Sequence, residues 1–278
     1  MPTESKKVAY PSIPITMQMD YNTILENVKS HHRMQSKKVI NMENLSMYNG
    51  NGQSYGYIIY RHSGAHIKES STLQIKDGAV YDMGILLLDG VRKTEKLISE
   101  DQLLEFGYWE QKDAVFQFES TSSGIRTLDI FVENWGRVNF GLHSDFNQRK
   151  GLLEDTKVML DGTQVFNWEI ISLQFNSRWI KHLNGWKPFS KDMMTAPVLL
   201  RAVLNVDSLA DTFIDMRGWG RGTVFINGFN LGRYFSGGPP QTLYLPAPLL
   251  TIGENEIVIF ELFTCGSEIQ FLQQPILD

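Results

Sequence analysis

The sequence predicts an all-β protein with two antiparallel sandwich or jelly-roll domains in tandem. Short runs of β-branched and aromatic residues recur along most of the chain. Several of these runs are joined by Asn-Gly or Asp-Gly pairs, which favour tight two-residue hairpins. A pair of such strand blocks also occurs twice in the same order, which is typical of a duplicated domain.

Size and composition are compatible with two folded domains. The chain has 278 residues, of which 42% are hydrophobic and 12% aromatic, so a sizeable core can form. The formal net charge is only -5, and no long basic run is present, which argues against nucleic acid as a partner. No apolar run approaches the ~20 residues of a membrane-spanning helix.

The first 37 residues are expected to form a linker and a short helix. They carry prolines and lysines without a strand-like alternation, and only a weak helical spacing follows Tyr21. The segment from Met1 to Tyr10 has no apolar core, so it does not look like a secretory signal. A chain that begins in a linker is expected to be a fragment of something longer.

The first sandwich is predicted over residues 38–172. Asp89-Gly90 and Asp161-Gly162 mark two tight turns within it. The predicted strand runs are 55–60, 72–76, 85–88, 114–119, 127–133, 158–160 and 168–173.

The second sandwich is predicted over residues 173–278. Its predicted strand runs are 198–206, 212–216, 223–226, 242–245 and 256–263. Asn227-Gly228 predicts a hairpin between two apolar runs. Apolar residues fall on both faces of 223–226, which indicates a central strand covered on both sides.

The two predicted domains share an internal repeat. Residues 85–91, around Asp89-Gly90, match residues 224–229, around Asn227-Gly228. Downstream, residues 128–134 match residues 256–261, so both blocks recur in the same order.

No catalytic residue, metal site or cofactor is predicted from the acidic residues, histidines or cysteine. The acidic pairs Glu254/Glu256, Asp211/Asp215 and Glu100/Asp101 are interpreted as solvated turn or strand-end residues. The pair His62/His66 is interrupted by Ser63-Gly64, so it is expected in an exposed loop and not on a metal-binding helix. The lone Cys265 is expected to be a packing residue.

One carbohydrate-binding site is predicted where aromatic and polar residues cluster around the Asn227-Gly228 hairpin. Stacking faces would come from Trp219 and Tyr234, with Arg221 and Arg233 as polar partners. The alternative is that these aromatic rings fill the sandwich ends or contact another domain. The sequon Asn44-Leu45-Ser46 makes Asn44 a predicted glycosylation site.

Several blocks resemble one family of enzymes. The matching blocks are residues 215–234, which include Trp219-Gly220-Arg221-Gly222, and residues 241–246, 253–261, 56–61 and 129–141. Together they resemble the C-terminal part of the β-galactosidases of glycoside hydrolase family 35. The resemblance implies galactose-binding-like β-domains, a (β/α)8 catalytic barrel as partner, and a lysosomal or secreted location.

The same resemblance leaves three hypotheses open. In the family both catalytic glutamates belong to the barrel, which takes ~250 residues and has no counterpart in this sequence. The chain is therefore expected to support a catalytic barrel without being catalytic itself. It could otherwise be a carbohydrate-binding module for galactosides, or a scaffold protein derived from the enzyme.

Overall fold

The computed structural model describes residues 5–96, 105–108, 111–238 and 241–277. The chain folds as two compact units. One unit runs from Val28 to Gln174 and is called the inserted sandwich below. The other joins the residues up to Asn27 to those from Phe175 onward, and is called the split sandwich.

The elements are almost all strands, as the sequence predicts. In chain order, within the described residues, they are β1 (Ile13–Pro14), β2 (Met17–Asp20), α1 (Tyr21–Glu26), β3 (Arg33–Ser36), β4 (Tyr57–Ile67), β5 (Ser70–Lys76), β6 (Val80–Tyr81), β7 (Met83–Leu88), β8 (Val91–Arg92), β9 (Val115–Glu119), β10 (Gly124–Glu133), β11 (Gly151–Leu152), β12 (Lys157–Leu160), β13 (Thr163–Gln164), β14 (Trp168–Leu173), α2 (Ser177–Ile180), β15 (Lys187–Pro188), β16 (Val198–Val206), β17 (Thr212–Asp215), β18 (Arg221–Ile226), β19 (Phe229–Phe235), β20 (Thr242–Leu245), β21 (Gly253–Glu261) and β22 (Glu268–Leu272). In the portion of the chain that the structure describes, no helix combines the length and apolar character needed to cross a bilayer.

The inserted sandwich packs two antiparallel sheets around one core. Its described strands form a larger sheet in the order β3-β14-β4-β10-β7-β8 and a smaller one in the order β13-β12-β5-β9. Strands β6 and β11 pair separately. Side chains from both main sheets share one buried apolar cluster, with Tyr60 and Ile130 from the larger sheet and Leu73 and Ile75 from the smaller. This arrangement is a β-sandwich.

The split sandwich has the same architecture. Its described strands form a larger sheet in the order β15-β2-β16-β21-β18-β19 and a smaller one in the order β1-β22-β17-β20. Leu200 and Ile257 meet Ile214 and Phe271 in a shared core. The outer face of the larger sheet is covered by Phe175, whose ring lies 4.7 Å from the ring of Phe260, centroid to centroid. The predicted all-β fold class is thus confirmed.

The predicted tight turns are confirmed. Asp89-Gly90, Asp161-Gly162 and Asn227-Gly228 all have positive φ at both residues, from 47° to 82°. In each case the flanking residues pair directly, so two residues close the hairpin. The prediction for 223–226 is also confirmed, because β18 lies between β21 and β19 and is buried on both faces.

The sheet orders confirm the internal repeat and extend it to the whole domain. Read from one edge, β3-β14-β4-β10-β7-β8 corresponds position by position to β15-β2-β16-β21-β18-β19. The chain order differs in one respect. Strands β13 and β14 end the inserted sandwich, whereas their counterparts β1 and β2 come from the N-terminus of the chain. The split sandwich is therefore a circular permutation of the inserted one.

The structure corrects the prediction of a linker in the N-terminal segment. Residues expected as linker form β1 and β2, which pair with β22 and β16. Ile15 and Met19 are buried at 5% and 0% exposure. These strands are only two and four residues long, and their partners lie about 180 to 250 positions away, so no local pattern reveals them. The predicted domain boundaries lie at 37/38 and 172/173, and the limits of the compact units lie at 27/28 and 174/175.

We expect Met19→Ala to destabilise the chain strongly. The side chain is fully buried on β2, so its removal should lower the free energy of unfolding by about 2–5 kcal/mol, measured by urea denaturation. Met17→Ala is the matched control, because Met17 lies on the same strand but is only partly buried. Equal, small losses for both variants would mean that the N-terminal strands do not belong to the fold.

Candidate functional site

The site that the sequence singled out is built around a carboxylate that was not among the predicted site residues. Glu261 ends β21 and is completely buried. Among the described residues, five donors reach it. The donors to Oε1 are the backbone nitrogens of Arg221 (3.0 Å), Phe263 (2.7 Å) and Thr264 (3.1 Å), and the donors to Oε2 are the Gly220 nitrogen (3.0 Å) and the Tyr234 hydroxyl (2.7 Å).

This network explains the glycines before the hairpin. A Cβ on Gly220 would lie 2.6 Å from Oε1 of Glu261 and 2.9 Å from the Thr264 nitrogen. A Cβ on Gly222 would collide with the Phe260 carbonyl and come within 2.7 Å of the Tyr234 hydroxyl. The Gly-x-Gly spacing therefore lets the backbone approach the buried carboxylate, and it is not a phosphate-binding loop.

Desolvation and hydrogen bonding act on Glu261 in opposite directions. Burial raises the pKa of the Glu261 carboxyl above its ordinary value, since it disfavours the charged form. The hydrogen bonds from Arg221, Tyr234, Phe263 and Thr264 favour the carboxylate and limit that rise. A carboxyl enclosed in this way organises the backbone and has no path to a substrate.

Two of the four predicted sugar-binding residues are core residues. Trp219 is 3% exposed and Tyr234 is 2% exposed, and their rings meet edge to face with centroids 6.5 Å apart. Both belong to the apolar core of the split sandwich. The stacking role predicted for them requires an open ring face, and neither ring presents one to solvent.

The two predicted arginines lie apart from that core pair. The Arg221 guanidinium stacks over the ring of Phe235, its cross-strand partner, at 4.7 Å from the ring centroid. Arg233 is exposed on β19, opposite Thr223. The structure thus gathers the Trp219–Tyr234 pair around Glu261 but does not assemble the four side chains into one surface.

A polar depression lies beside this network. It has a volume of about 370 Å³ and is lined by residues that include Lys191, Asp215, Arg217, Trp219, Glu268 and Gln270. Asp215 is 5% exposed, and Nη2 of Arg217 donates to its Oδ2 at 2.6 Å. Burial alone would raise the pKa of Asp215, but the hydrogen bonds and charge of Arg217 hold that pKa below its ordinary value.

The prediction that the acidic pairs are exposed to solvent is partly wrong. Asp215 is buried, and so is Asp211, whose carboxylate accepts hydrogen bonds from the Tyr244 hydroxyl (2.6 Å) and the Ala247 nitrogen (2.8 Å). Donors replace water at both carboxylates: Arg217, two residues along the chain, donates to Asp215, whereas the donors to Asp211 come from a distant part of the chain. Glu254 is exposed, as expected, whereas Glu256 pairs with Arg201 at 2.6 Å. The Glu100/Asp101 pair lies outside the described residues.

The histidine and cysteine predictions have different outcomes. His62 and His66 lie on β4 and not in a loop, because β4 continues through Ser63 and Gly64 to pair with β10. Within the described residues, no group of three or more potential metal ligands converges.

Cys265 is a core residue, as expected, and burial raises the pKa of its thiol to about 11, so it stays protonated at neutral pH.

Asn44 is exposed on the inserted sandwich. It ends a short 3-10 turn, Met42–Asn44, and its backbone nitrogen donates to Oδ1 of the N-cap residue Asn41 at 3.1 Å. Its side-chain nitrogen, the atom that a glycan would modify, donates to Oε1 of Glu154 at 2.7 Å. Glycosylation at Asn44 stays a prediction.

Family models match both sandwiches. The model described as "Beta-galactosidase, first all-beta domain" matches residues 41–174, and the model described as "Beta-galactosidase, galactose-binding domain" matches residues 197–255. The chain belongs to the β-domains of the β-galactosidase family. In these β-galactosidase β-domains, the inserted sandwich carries the first match and the split sandwich the second.

Full-length relatives extend well beyond the matched region. Beta-galactosidase-1-like protein 2 of Homo sapiens is 36% identical over 245 residues, covering 87% of this chain and 35% of the relative. Beta-galactosidase 1 of Dictyostelium discoideum is 32% identical over 289 residues, covering 100% and 41% respectively. Beta-galactosidase-1-like protein 3 of Mus musculus is 31% identical over 278 residues, covering 99% and 39%. The chain spans about two fifths of the length of these curated relatives.

We expect Glu261→Gln to destabilise these β-galactosidase β-domains. An amide replaces one acceptor oxygen by a donor that faces other donors, so the free energy of unfolding should fall by about 1–3 kcal/mol in urea denaturation. Because folding raises the pKa of Glu261, the folded chain holds this proton more tightly than the unfolded chain. The carboxyl's contribution to stability therefore decreases as the pH rises through that raised pKa. The free energy of unfolding lost on Glu261→Gln should accordingly be larger at acidic than at alkaline pH.

Glu254→Gln is the matched control. Glu254 lies on the same strand but is exposed, so its substitution should change the stability by less than about 0.5 kcal/mol. If Glu261→Gln unfolds with the same free energy as the wild type, the carboxylate does not hold the backbone as described.

Proposed function

We propose that this chain is the non-catalytic β-domain region of a glycoside hydrolase family 35 β-galactosidase, and that it supports the catalytic barrel. The observation that carries the proposal is the pair of β-domain matches in a chain that spans about two fifths of its relatives. More than half of each relative lies outside the match, and a (β/α)8 barrel takes about 250 residues. The parent enzyme would hydrolyse terminal β-galactose with retention of configuration.

The buried acidic residues support a non-catalytic role. A retaining glycosidase needs two carboxyl groups about 5–5.5 Å apart that both reach the sugar. Glu261 and Glu133, which end equivalent strands of the two sandwiches, are 0% and 1% exposed. Neither can contact a substrate in the folded chain.

The lysosomal or secreted location expected from the resemblance belongs to the same proposal.

An activity assay tests the non-catalytic role. The purified 278-residue chain should not hydrolyse a chromogenic β-galactoside above the buffer rate, while Beta-galactosidase 1 of Dictyostelium discoideum serves as the comparison enzyme. The transcript upstream of the Met1 codon should continue in frame into a barrel sequence. Turnover that scales with the concentration of the isolated chain would contradict the proposal.

A second candidate function, carbohydrate binding, is favoured by the polar depression of the split sandwich. The Asp215–Arg217 pair together with Lys191 and Gln270 offers donors and acceptors suited to sugar hydroxyls. The depression overlaps the segment matched by the galactose-binding model at Asp215 and Trp219. It differs from the site predicted from sequence, because only Trp219 is shared.

Titration with galactose and lactose tests this candidate. Binding at millimolar sugar should change the tryptophan fluorescence, since Trp219 lines the depression, and the double variant Lys191→Ala/Gln270→Ala should weaken binding about tenfold. Lys76→Ala/Gln117→Ala is the control, because both of these side chains are exposed on the inserted sandwich. An unchanged spectrum and no heat of binding at millimolar sugar would exclude this function.

A further inference from the structure

One exposed segment of the inserted sandwich carries large apolar side chains close together. Between β10 and β11, every residue from Asn139 to Asn147 is exposed. Within that stretch Phe140 is 91% exposed, Leu142 74% and Phe146 45%. Among the other residues of this sandwich that the structure describes, exposed large apolar residues are isolated positions in the sequence, as at Val91, Val115 and Ile125, which is ordinary for a protein surface.

The two ends of this segment, residues 137–149, are held together by one buried carboxylate. Asp82 accepts a hydrogen bond from the Trp135 backbone nitrogen at its Oδ2, and from Nζ of Lys150 at its Oδ1, both at 2.6 Å. The side chains of Asp82 and Lys150 are 5% and 2% exposed. Since one carboxylate binds residues on both sides of the segment, its base is closed and fixed.

A second carboxylate repeats this arrangement. Glu43 accepts from Nη1 of Arg137 with one oxygen and from the Lys150 backbone nitrogen, at 2.9 Å, with the other. The segment therefore leaves and re-enters the sandwich at one place, as in an Ω-loop.

The tip of the segment is ordered by its own hydrogen bonds. Oδ2 of Asp145 accepts from the Leu142 backbone nitrogen, and the Asp145 nitrogen donates to the Leu142 carbonyl, both at 2.8 Å. Gly141 has φ +138°, and a Cβ there would lie 2.8 Å from Oδ2 of Asp145. These contacts give the backbone that carries Phe140, Leu142 and Phe146 a defined shape. Apolar side chains on an ordered, projecting backbone are typical of a docking surface.

We propose that residues 137–149 form the surface by which this chain docks onto the catalytic domain of the same β-galactosidase. The proposal rests on the proposed function, because that function supplies the partner. More than half the length of the relatives lies outside the matched region, so a large domain of the same polypeptide is available to cover the segment. Phe140, Leu142 and Phe146 enter an apolar pocket on that domain, while Asp82 and Glu43 keep the segment in shape before docking.

Hydroxyl-radical footprinting of the native enzyme tests the proposal. An antibody against an epitope of the split sandwich captures the native protein from its source, and the captured material is assayed with a chromogenic β-galactoside. Labelling of Phe140, Leu142 and Phe146 should be at least threefold lower in the captured enzyme than in the isolated 278-residue chain. Labelling of Val115 and Ile125 should be equal in both.

The outcomes separate this inference from the proposed function. Captured material without β-galactosidase activity would overturn the proposed function, and the docking proposal with it. Active material in which Phe140, Leu142 and Phe146 are labelled as strongly as in the isolated chain would overturn the docking proposal alone.

A variant gives a second measurement. Phe140→Ser/Leu142→Ser/Phe146→Ser should change the melting temperature of the isolated chain little, because all three side chains are exposed there and none belongs to the core of the sandwich. The same variant of the full-length enzyme should lose thermal stability of its activity, whereas the control Val115→Ser/Ile125→Ser should not. Equal stability of the two full-length variants would contradict docking through this segment.

Discussion

The buried carboxylate of Glu261 fixes the end of the split sandwich. A carboxyl that leaves water must recover hydrogen bonds, and this one accepts them from backbone groups in two loops and from the Tyr234 hydroxyl. The requirement extends to neighbouring positions. Gly220 and Gly222 have no room for a side chain, and Trp219 packs edge to face on Tyr234. The richness of this stretch in Trp, Gly and Arg therefore reflects one internal network, with the polar depression at Asp215 and Arg217 beside it.

The two sandwiches show how one architecture accommodates different chain connections. Both place a glutamate at the end of the matching central strand, Glu133 on β10 and Glu261 on β21, and both glutamates are buried. Around Glu133 the indole nitrogen of Trp135 donates to Oε2 at 3.2 Å, where the split sandwich uses a tyrosine hydroxyl. The split sandwich also receives the strands equivalent to β13 and β14 from the N-terminus of the chain. Its fold thus depends on residues that precede the inserted sandwich, and the chain's N-terminal strands have a structural role.

The features that the sequence predicted correctly depend on local signals. Tight turns are visible because Asn-Gly and Asp-Gly pairs tolerate positive φ, and the repeat is visible because both copies keep the same turn and central strand. The missed features depend on distant partners. β1 and β2 are too short to show a pattern, and Glu261 looks like an ordinary strand end until the glycine loop closes over it. Trp219 and Tyr234 suggested a sugar-binding surface because they cluster with Arg221 and Arg233 near the hairpin, but Gly220 and Gly222 let the backbone approach the core there and both rings are buried.

Hydrogen exchange at the backbone amides that donate to Glu261 tests the central claim most directly. Gly220, Arg221, Phe263 and Thr264 lie at a strand end or in loops, where amides ordinarily exchange fast. If the buried carboxylate organises this end of the sandwich, their exchange in the wild-type chain will be as slow as that of the central strand β21, and Glu261→Gln will accelerate it selectively. Fast exchange at all four amides in the wild-type chain would contradict the account.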